Sequence, residues 1–477
     1  MHRFIEPASR AWVPRRPLGL LVATVLLFLS NAAAAQTPAR DAAIAEAADT
    51  AIEGFVGSPD GPGAAILIAR GDQVFYRAAR GRAELELGVE LSPDQVFSIA
   101  SITKTFTAAL VLRLAQDGRL SLDDSLSTFL PTFPGAEQIT VRQLLSHTAG
   151  LSDKTAPADI QPGFSRRDLS TAALVAEIAK RPLAFAPGRR QAYSNAGYIL
   201  LGAVIEAVTG LPWHVAMHDQ LLEPLGLSQT RYGLAATIIP GRVRGYVRTD
   251  RESRVENAGF ISMTVPSAAG ALVSTVDDLH RFMRALAQGS ALGHEGFRQM
   301  TTPTEVPEGP TDSYGLGMYV WTVRGQNLVG HTGQINGFAS ALIYLPSQDV
   351  TIVALANDEG LDAQTLGRRL AAIVLGDPYD VVAPQPLSEA EMLALVGTYQ
   401  HDQEVRTLLV RDGILFARRD QGTDIPLQMS ANGRLHFVPD DLSYLVPIRD
   451  EAGATTRLEY LRRGELPAIR YDRVLKP

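Results

Sequence analysis

A chain of 477 residues, 46% of them hydrophobic, is long enough for two or three cores at roughly 150 residues each. Its net charge is −7, and its Lys and Arg residues are scattered without an aromatic-interleaved patch, which leaves no electrostatic footprint for nucleic acid. With no cysteine it can hold neither a disulfide framework, a thiolate metal site, a cysteine nucleophile nor a lipid-modified N-terminal cysteine.

Arg3, Arg10, Arg15 and Arg16 precede a charge-free, mainly apolar run at 18–29 and then small residues at 32–35, the pattern of an export signal cleaved before Gln36. An apolar run of about 12 residues falls short of the roughly 20 that a bilayer-spanning helix needs. The mature chain is therefore expected to be periplasmic or secreted, with no membrane anchor left. Arg15-Arg16 keeps a twin-arginine route open, but Pro17 follows where an apolar pair would be more persuasive, and the general route is favoured.

Residues 41–55 have helical periodicity, and Ala64–Arg70 and 73–79 read as strands joined by Gly71-Asp72. From 101 to 208 the pattern is mostly helical with Pro and Gly breaks, and 274–289 is an amphipathic helix announced by Ser274-Thr275 and Asp277-Asp278. Residues 328–330, Phe338–Leu345 and Val350–Ala356 return to β character. Strands at both ends around an α-rich middle predict an α+β domain in which one sheet, flanked by helices, is closed by the two ends of the domain. After a helix at 362–375, the stretch from Gly376-Asp377-Pro378 to Pro384-Gln385-Pro386 reads as a linker. Beyond it come short alternating segments separated by Gly, Asn or Asp, which predict a small closed β-barrel or sandwich. The expected organisation is thus a signal at 1–35, an α+β domain at 36–376, a linker at 377–386 and a β domain at 387–477.

Ser101-Ile102-Thr103-Lys104 opens a predicted helix, where residues three apart share a face and a hydroxyl and an amine come within hydrogen-bond reach. The helix N-terminus also favours a developing alkoxide. By itself the spacing equally suits a capping serine with a solvated lysine. Of the 44 basic residues only Lys104, Lys154, Lys180 and Lys476 are lysines, so a chain that otherwise uses arginine places here a cation that can give up its proton. Tyr193-Ser194-Asn195 follows a Phe185-Ala186-Pro187-Gly188 turn and precedes a helix at 197–208, which puts a phenol and an amide on a loop. A loop tyrosine alone is also an ordinary packing residue with a wet hydroxyl. His331-Thr332-Gly333 ends a strand beside Gly330 and runs through Gln334 to Phe338, which alone reads as a tight connection needing glycine. His214 and His218 lie four apart on a helix, but no Glu completes an H-E-x-x-H order, so they read as surface or packing histidines. Neither a metal nor a cofactor is expected.

In this order the three motifs resemble the family that joins class C β-lactamases, serine DD-peptidases, D-aminopeptidases and related esterases, over about residues 45–375. Phe97-Ser98-Ile99-Ala100 ahead of the serine, Leu144-Leu145-Ser146-His147-Thr148-Ala149-Gly150-Leu151, and the stretch from Ala268 to Leu279 support the resemblance. It implies that Ser101 is the nucleophile, that Lys104 and Tyr193 shuttle its proton, and that Asn195 holds a substrate carbonyl. The implied oxyanion hole is the backbone N–H groups of Ser101 and Gln334. His331 and Thr332, beside Gly333, would line the pocket for a substrate carboxylate. β-Lactamases of this type usually have lysine where this chain has His331, which looks like the DD-peptidases and D-aminopeptidases. An imidazole holds a carboxylate less strongly than an ammonium near pH 7, which turns the expectation away from a penicillinase. His147 is expected to brace its turn. The region 387–477 resembles the lipocalin-like domains appended to several of these hydrolases, where it either narrows the cleft or stabilises the chain. Signal pattern and resemblance together point to an exported serine hydrolase acting through an acyl-enzyme on a small-molecule or peptide substrate, ranked as peptidase or amidase, then esterase, then β-lactamase. A non-turnover penicillin or peptidoglycan sensor is the reading from a different class.

Overall fold

Ala64–Arg70 (β1) is apolar along almost its whole length because both of its faces are covered, the pattern of a strand inside a sheet rather than at its edge. In the computed structural model it lies in a six-stranded sheet with Gln73–Arg80 (β2), Tyr319–Val323 (β3), Gln326–Ile335 (β4), Phe338–Leu345 (β5) and Val350–Ala356 (β6), in the order β3-β4-β5-β6-β1-β2. Every neighbour is antiparallel, and Ala64 opposite Ala356 joins the first strand to the last, as the α+β reading predicts. The structure describes residues 19–474 apart from 152–162, 249–253, 309–312, 381 and 439, with side chains from 38 onward except that of 441. The arginines and the first apolar residue of the expected export signal lie outside the described residues, as do Lys154 and Lys476. Helix α1 (Gly19–Val56) is longer than the expected 41–55. No single helix among the described residues is long and apolar enough to cross a membrane.

The α-rich middle centres on α2 (Thr103–Gln116), whose residues from Thr103 to Leu112 are all buried. A helix wrapped on every side needs no polar stripe, and its hydroxyls are tied off instead: Thr105 donates to the Gly317 carbonyl and Thr107 to that of Ala268. Helix α3 (Asn195–Thr209) packs beside it. Helices α4 (Val276–Ala287) and α5 (Ala363–Leu375) lie on the sheet, and Phe282 of α4 stacks on Phe106 of α2 with ring centroids 3.7 Å apart. Burying each such ring contributes about 1.5–3 kcal/mol. This layer fixes the head of α2 against the sheet.

The C-terminal region is a closed barrel of Gly397–His401 (β7), Glu404–Arg411 (β8), Ile414–Arg419 (β9), Ile425–Ser430 (β10), Leu435–Phe437 (β11), Asp440–Arg449 (β12), Thr455–Leu461 (β13) and Ile469–Arg473 (β14). Each strand pairs with its sequence neighbour, and β14 returns to β7 to complete the ring. Leu408, Leu427, Leu435, Leu445, Leu458, Tyr399 and Tyr471 fill its core, as expected for eight strands. Arg406, 7% exposed, is tolerated there because its guanidinium lies 4.1 Å from the Tyr460 ring centroid and 3.2 Å from Glu404. Pro384–Gln385, at the end of the expected linker, adds a short strand to β10. Residues 48–477 group as one unit by contact.

Candidate active site

Ser101 lies in the tight turn Ala100–Ile102 at the head of α2. Ala100 before it is held at φ 46°, in the left-handed region that side chains with a Cβ seldom adopt. Neighbouring strands hold this strain in place. Ser340 of β5 donates to the Ile99 carbonyl at 2.9 Å, and Gly333 of β4 comes so close that a Cβ there would sit 2.5 Å from that oxygen and 2.9 Å from the Ala100 Cβ.

One helical turn further, Lys104 is fully buried. Its Nζ is 3.0 Å from Ser101 Oγ, 2.7 Å from Asn195 Oδ1 and 2.8 Å from the Ala269 carbonyl, and 4.7 Å from the centre of the Tyr193 ring. An amine there can exchange a proton with the hydroxyl, which a guanidinium cannot do.

Tyr193 and Asn195 are positioned by Ser194, whose Oγ caps α3 by accepting from the Gly197 N–H at 3.2 Å. The helix consequently starts at Asn195 rather than at 197, and Asn195 is not a loop residue. His147 braces this segment twice: its Nδ1 accepts from the Ser194 N–H at 3.1 Å, and its carbonyl from the Ala192 N–H at 2.9 Å. Its ring packs 4.5 Å from those of Tyr193 and Tyr314. Burial first, then the proximity of Lys104 and His331, holds its pKa well below the usual value.

The His331-Thr332-Gly333 motif lies inside β4, which runs on to Ile335 instead of ending at the motif. Tyr319 opposite Gly330 is the last rung of the β3 ladder, so 331–335 pair with β5 on one side and face the cleft on the other. The two-residue turn Asn336-Gly337 makes Ile335 and Phe338 the closing pair. Antiparallel alternation then points the Gln334 N–H away from β5. His331 is 1% exposed; its Nδ1–H donates to the Thr332 carbonyl at 2.5 Å, and its Nε2 accepts from the Tyr314 hydroxyl at 3.1 Å. Burial and then Lys104 push its pKa down to about 3. A neutral ring with both nitrogens engaged lends no positive charge to a carboxylate.

Ser101, Tyr193, Asn195, His331, Thr332, Gly333 and Gln334 all line one cleft of about 530 Å3, with Lys104 behind Ser101. Sequence reading missed the opposite wall, from Glu359 to Gln364 at the start of α5, and Tyr319. Glu359 clamps the β4–β5 turn, its carboxylate accepting from the Gly337 N–H at 2.7 Å and its carbonyl from the Gln334 side chain at 2.9 Å. The only sequence signal was the turn-like Asp358-Glu359-Gly360 after an apolar strand. His214 packs against Tyr232 and His218 meets Asp219 at the surface; neither lines the cleft.

A serine and a buried lysine one turn apart, beside an open strand edge that offers backbone N–H groups, is an arrangement suited to serine acyl transfer as a class. The chain belongs to the Beta-lactamase family, whose profile matches residues 48–375. It is similar to penicillin-binding protein 4* of Bacillus subtilis (strain 168), 26% identical over 396 residues that cover 78% of this chain and 85% of that protein. It is also similar to protein flp of Staphylococcus aureus (strain COL), 29% identical over 319 residues, 65% of this chain, and spans 62% of that protein's length. Among solved structures it resembles a D-stereospecific amidohydrolase from Streptomyces sp., with 30% identity and a TM-score of 0.61 over 70% of this chain and 99% of that one.

Proposed function

We propose that this chain is an exported serine hydrolase that cleaves amide bonds, of peptides or amino acid amides, through an acyl-enzyme on Ser101. The carrying observation is the 3.0 Å approach of the buried Lys104 Nζ to Ser101 Oγ at the floor of the cleft. Lys104 takes the hydroxyl proton as Oγ bonds to the carbonyl carbon, and the oxygen that becomes negative rests on the N–H groups of Ser101 and Gln334. Tyr193, beside Lys104, passes the proton to the departing amine, and the same pair deprotonates the water that releases the acyl group. Asn195 orients the substrate carbonyl. Names among the relatives, a penicillin-binding protein and a D-stereospecific amidohydrolase, support an amidase or DD-peptidase over an esterase. The neutral His331 argues against a penicillinase. The segment 1–35 is the export signal, 36–376 the hydrolase, 377–386 a linker and 387–477 a lipocalin-like barrel.

A fluorophosphonate probe is expected to label Ser101 alone, read by intact mass and peptide mapping, because an activated serine outpaces ordinary hydroxyls. Label on another serine, or equal label on Ser101→Ala, refutes the assignment. Turnover of D-amino acid amides, D-Ala-D-Ala peptides, short-chain esters and nitrocefin then ranks the substrates. Acylation without turnover of any of them would make the protein a sensor.

A further inference from the structure

Tyr319, Thr332 and Gln364 line both the cleft and a second cavity of about 560 Å3, so the two adjoin. Its far wall comes from α5 and from the turn after β13, which bring Arg368, Arg462 and Arg463 together. Arg368 is 5% exposed; its Nη2 donates to the Thr322 carbonyl at 2.7 Å and to Glu465 at 3.5 Å, while its Nε finds no partner among the described residues. Arg463 is held at φ 53° with its N–H on Ser443 Oγ at 2.9 Å, and among the described residues its guanidinium hydrogen-bonds only the neutral Gln364 side chain, at 3.3 Å. Neither Arg462 nor Arg463 forms an ion pair among the described residues. Burial first and then Arg368 hold the Arg463 pKa below its usual value, against the opposing pull of Asp440 and Asp362.

Glu465 is the one carboxylate among the described residues that line this cavity, and it is shared between Arg368 and partners outside the cavity. It accepts from the Tyr379 hydroxyl at 2.6 Å and the Arg324 N–H at 2.9 Å, with Arg368 3.5 Å away. The side chains that line the cavity thus carry three guanidiniums against one carboxylate, with Asp440 and Asp362 acting on Arg463 from behind the wall. The cleft itself gains no positive charge from His331, whereas this adjoining wall carries guanidiniums.

We propose that the cavity is an anion subsite of the active site, in which Arg368 and the barrel's Arg462 and Arg463 hold a free carboxylate carried by the substrate beyond its scissile amide. This rests on the serine-hydrolase reading of the cleft and adds to it a substrate class: peptides ending in a carboxylate some distance from the cleaved bond. The planar guanidinium fork suits that group.

The test uses the full chain and a matched pair, D-Phe-Gly-Gly and its C-terminal amide. On Ser101→Ala, titration calorimetry is expected to give the free acid about tenfold or more tighter binding than the amide, as a charge-assisted hydrogen bond predicts, with the gap closing at high salt. Arg463→Gln should remove the acid's advantage. Arg463→Glu should reverse the order, an outcome that misfolding cannot produce. Equal affinities on Ser101→Ala, no binding of either peptide, or an unchanged preference in Arg463→Glu each overturn the subsite. Because binding is read without turnover, loss of Ser101 labelling defeats the hydrolase reading separately.

Discussion

Asn195 Oδ1 and the Ala269 carbonyl, 2.7 and 2.8 Å from Lys104 Nζ, can take the two N–H groups of a neutral amine and leave its lone pair for the Ser101 hydroxyl at 3.0 Å. A guanidinium fits neither the size nor the proton chemistry of the site. Lys104→Arg is therefore expected to lose at least about 10²–10⁴ in acylation rate, the worth of general-base assistance. Single-turnover phosphonylation measures it, with thermal unfolding as the check on the fold. Acylation within about tenfold of the parent would make Lys104 a structural cation and move the base to Tyr193. The proximity of this pair was legible in the sequence because it is local, S-x-x-K on a helix, whereas its proposed role took the other two motifs as well. The state of His331 was not, since its neutrality depends on Tyr314, on the Thr332 carbonyl and on burial, none of which spacing encodes. The sequence reading expected a carboxylate pocket there, whereas the ring's nitrogens are spent inside the protein.

At the level of elements, the decisive contact is β4 against the turn that carries Ser101. Gly333→Ala would drive a Cβ to 2.5 Å from the Ile99 carbonyl, so β4 must retreat and take the Gln334 N–H with it. The expected cost is about 1–3 kcal/mol of stability from overpacking and a loss of about 10²-fold or more in acylation, the usual effect of disabling one oxyanion donor. Denaturant unfolding and probe kinetics read the two separately, and near-parental acylation would remove Gln334 from the mechanism. The apolar strands β1, β5 and β6 could be read from sequence because burial on both faces leaves an unmistakable run. The extension of β4 to Ile335 could not, because a strand edge facing a cleft carries polar and glycine residues that read as a turn. The same polarity hid the start of α3, where Ser194 is a helix cap rather than a loop residue.

Over the whole molecule, the barrel was legible as a change of period, but its contacts with the larger domain were not. They include Arg324, which donates to the Gly464 carbonyl of the barrel and to the Asp377 and Pro378 carbonyls of the connecting stretch, together with Arg368 beside Glu465 and Arg463 on Gln364. A contact this polar exposes little apolar surface when broken. Deleting 384–477 is expected to leave a soluble, folded domain that still labels at Ser101 but no longer prefers a free-acid peptide. Circular dichroism, labelling and the matched peptide pair check it. An unfolded product would make the barrel part of the domain's fold, and a folded product that does not label would place the barrel in the chemistry. The pairing of β1 with β6 has a consequence in time as well as in space. β1 leaves the ribosome early, yet its inner partner is the last strand of the sheet, with Arg70 waiting for Val350 and Ala64 for Ala356. Until then its apolar edge stays open, and such non-local pairing makes closure slow. The sheet therefore cannot close until Val350–Ala356 has been made, which under the proposed export would keep the chain threadable until then.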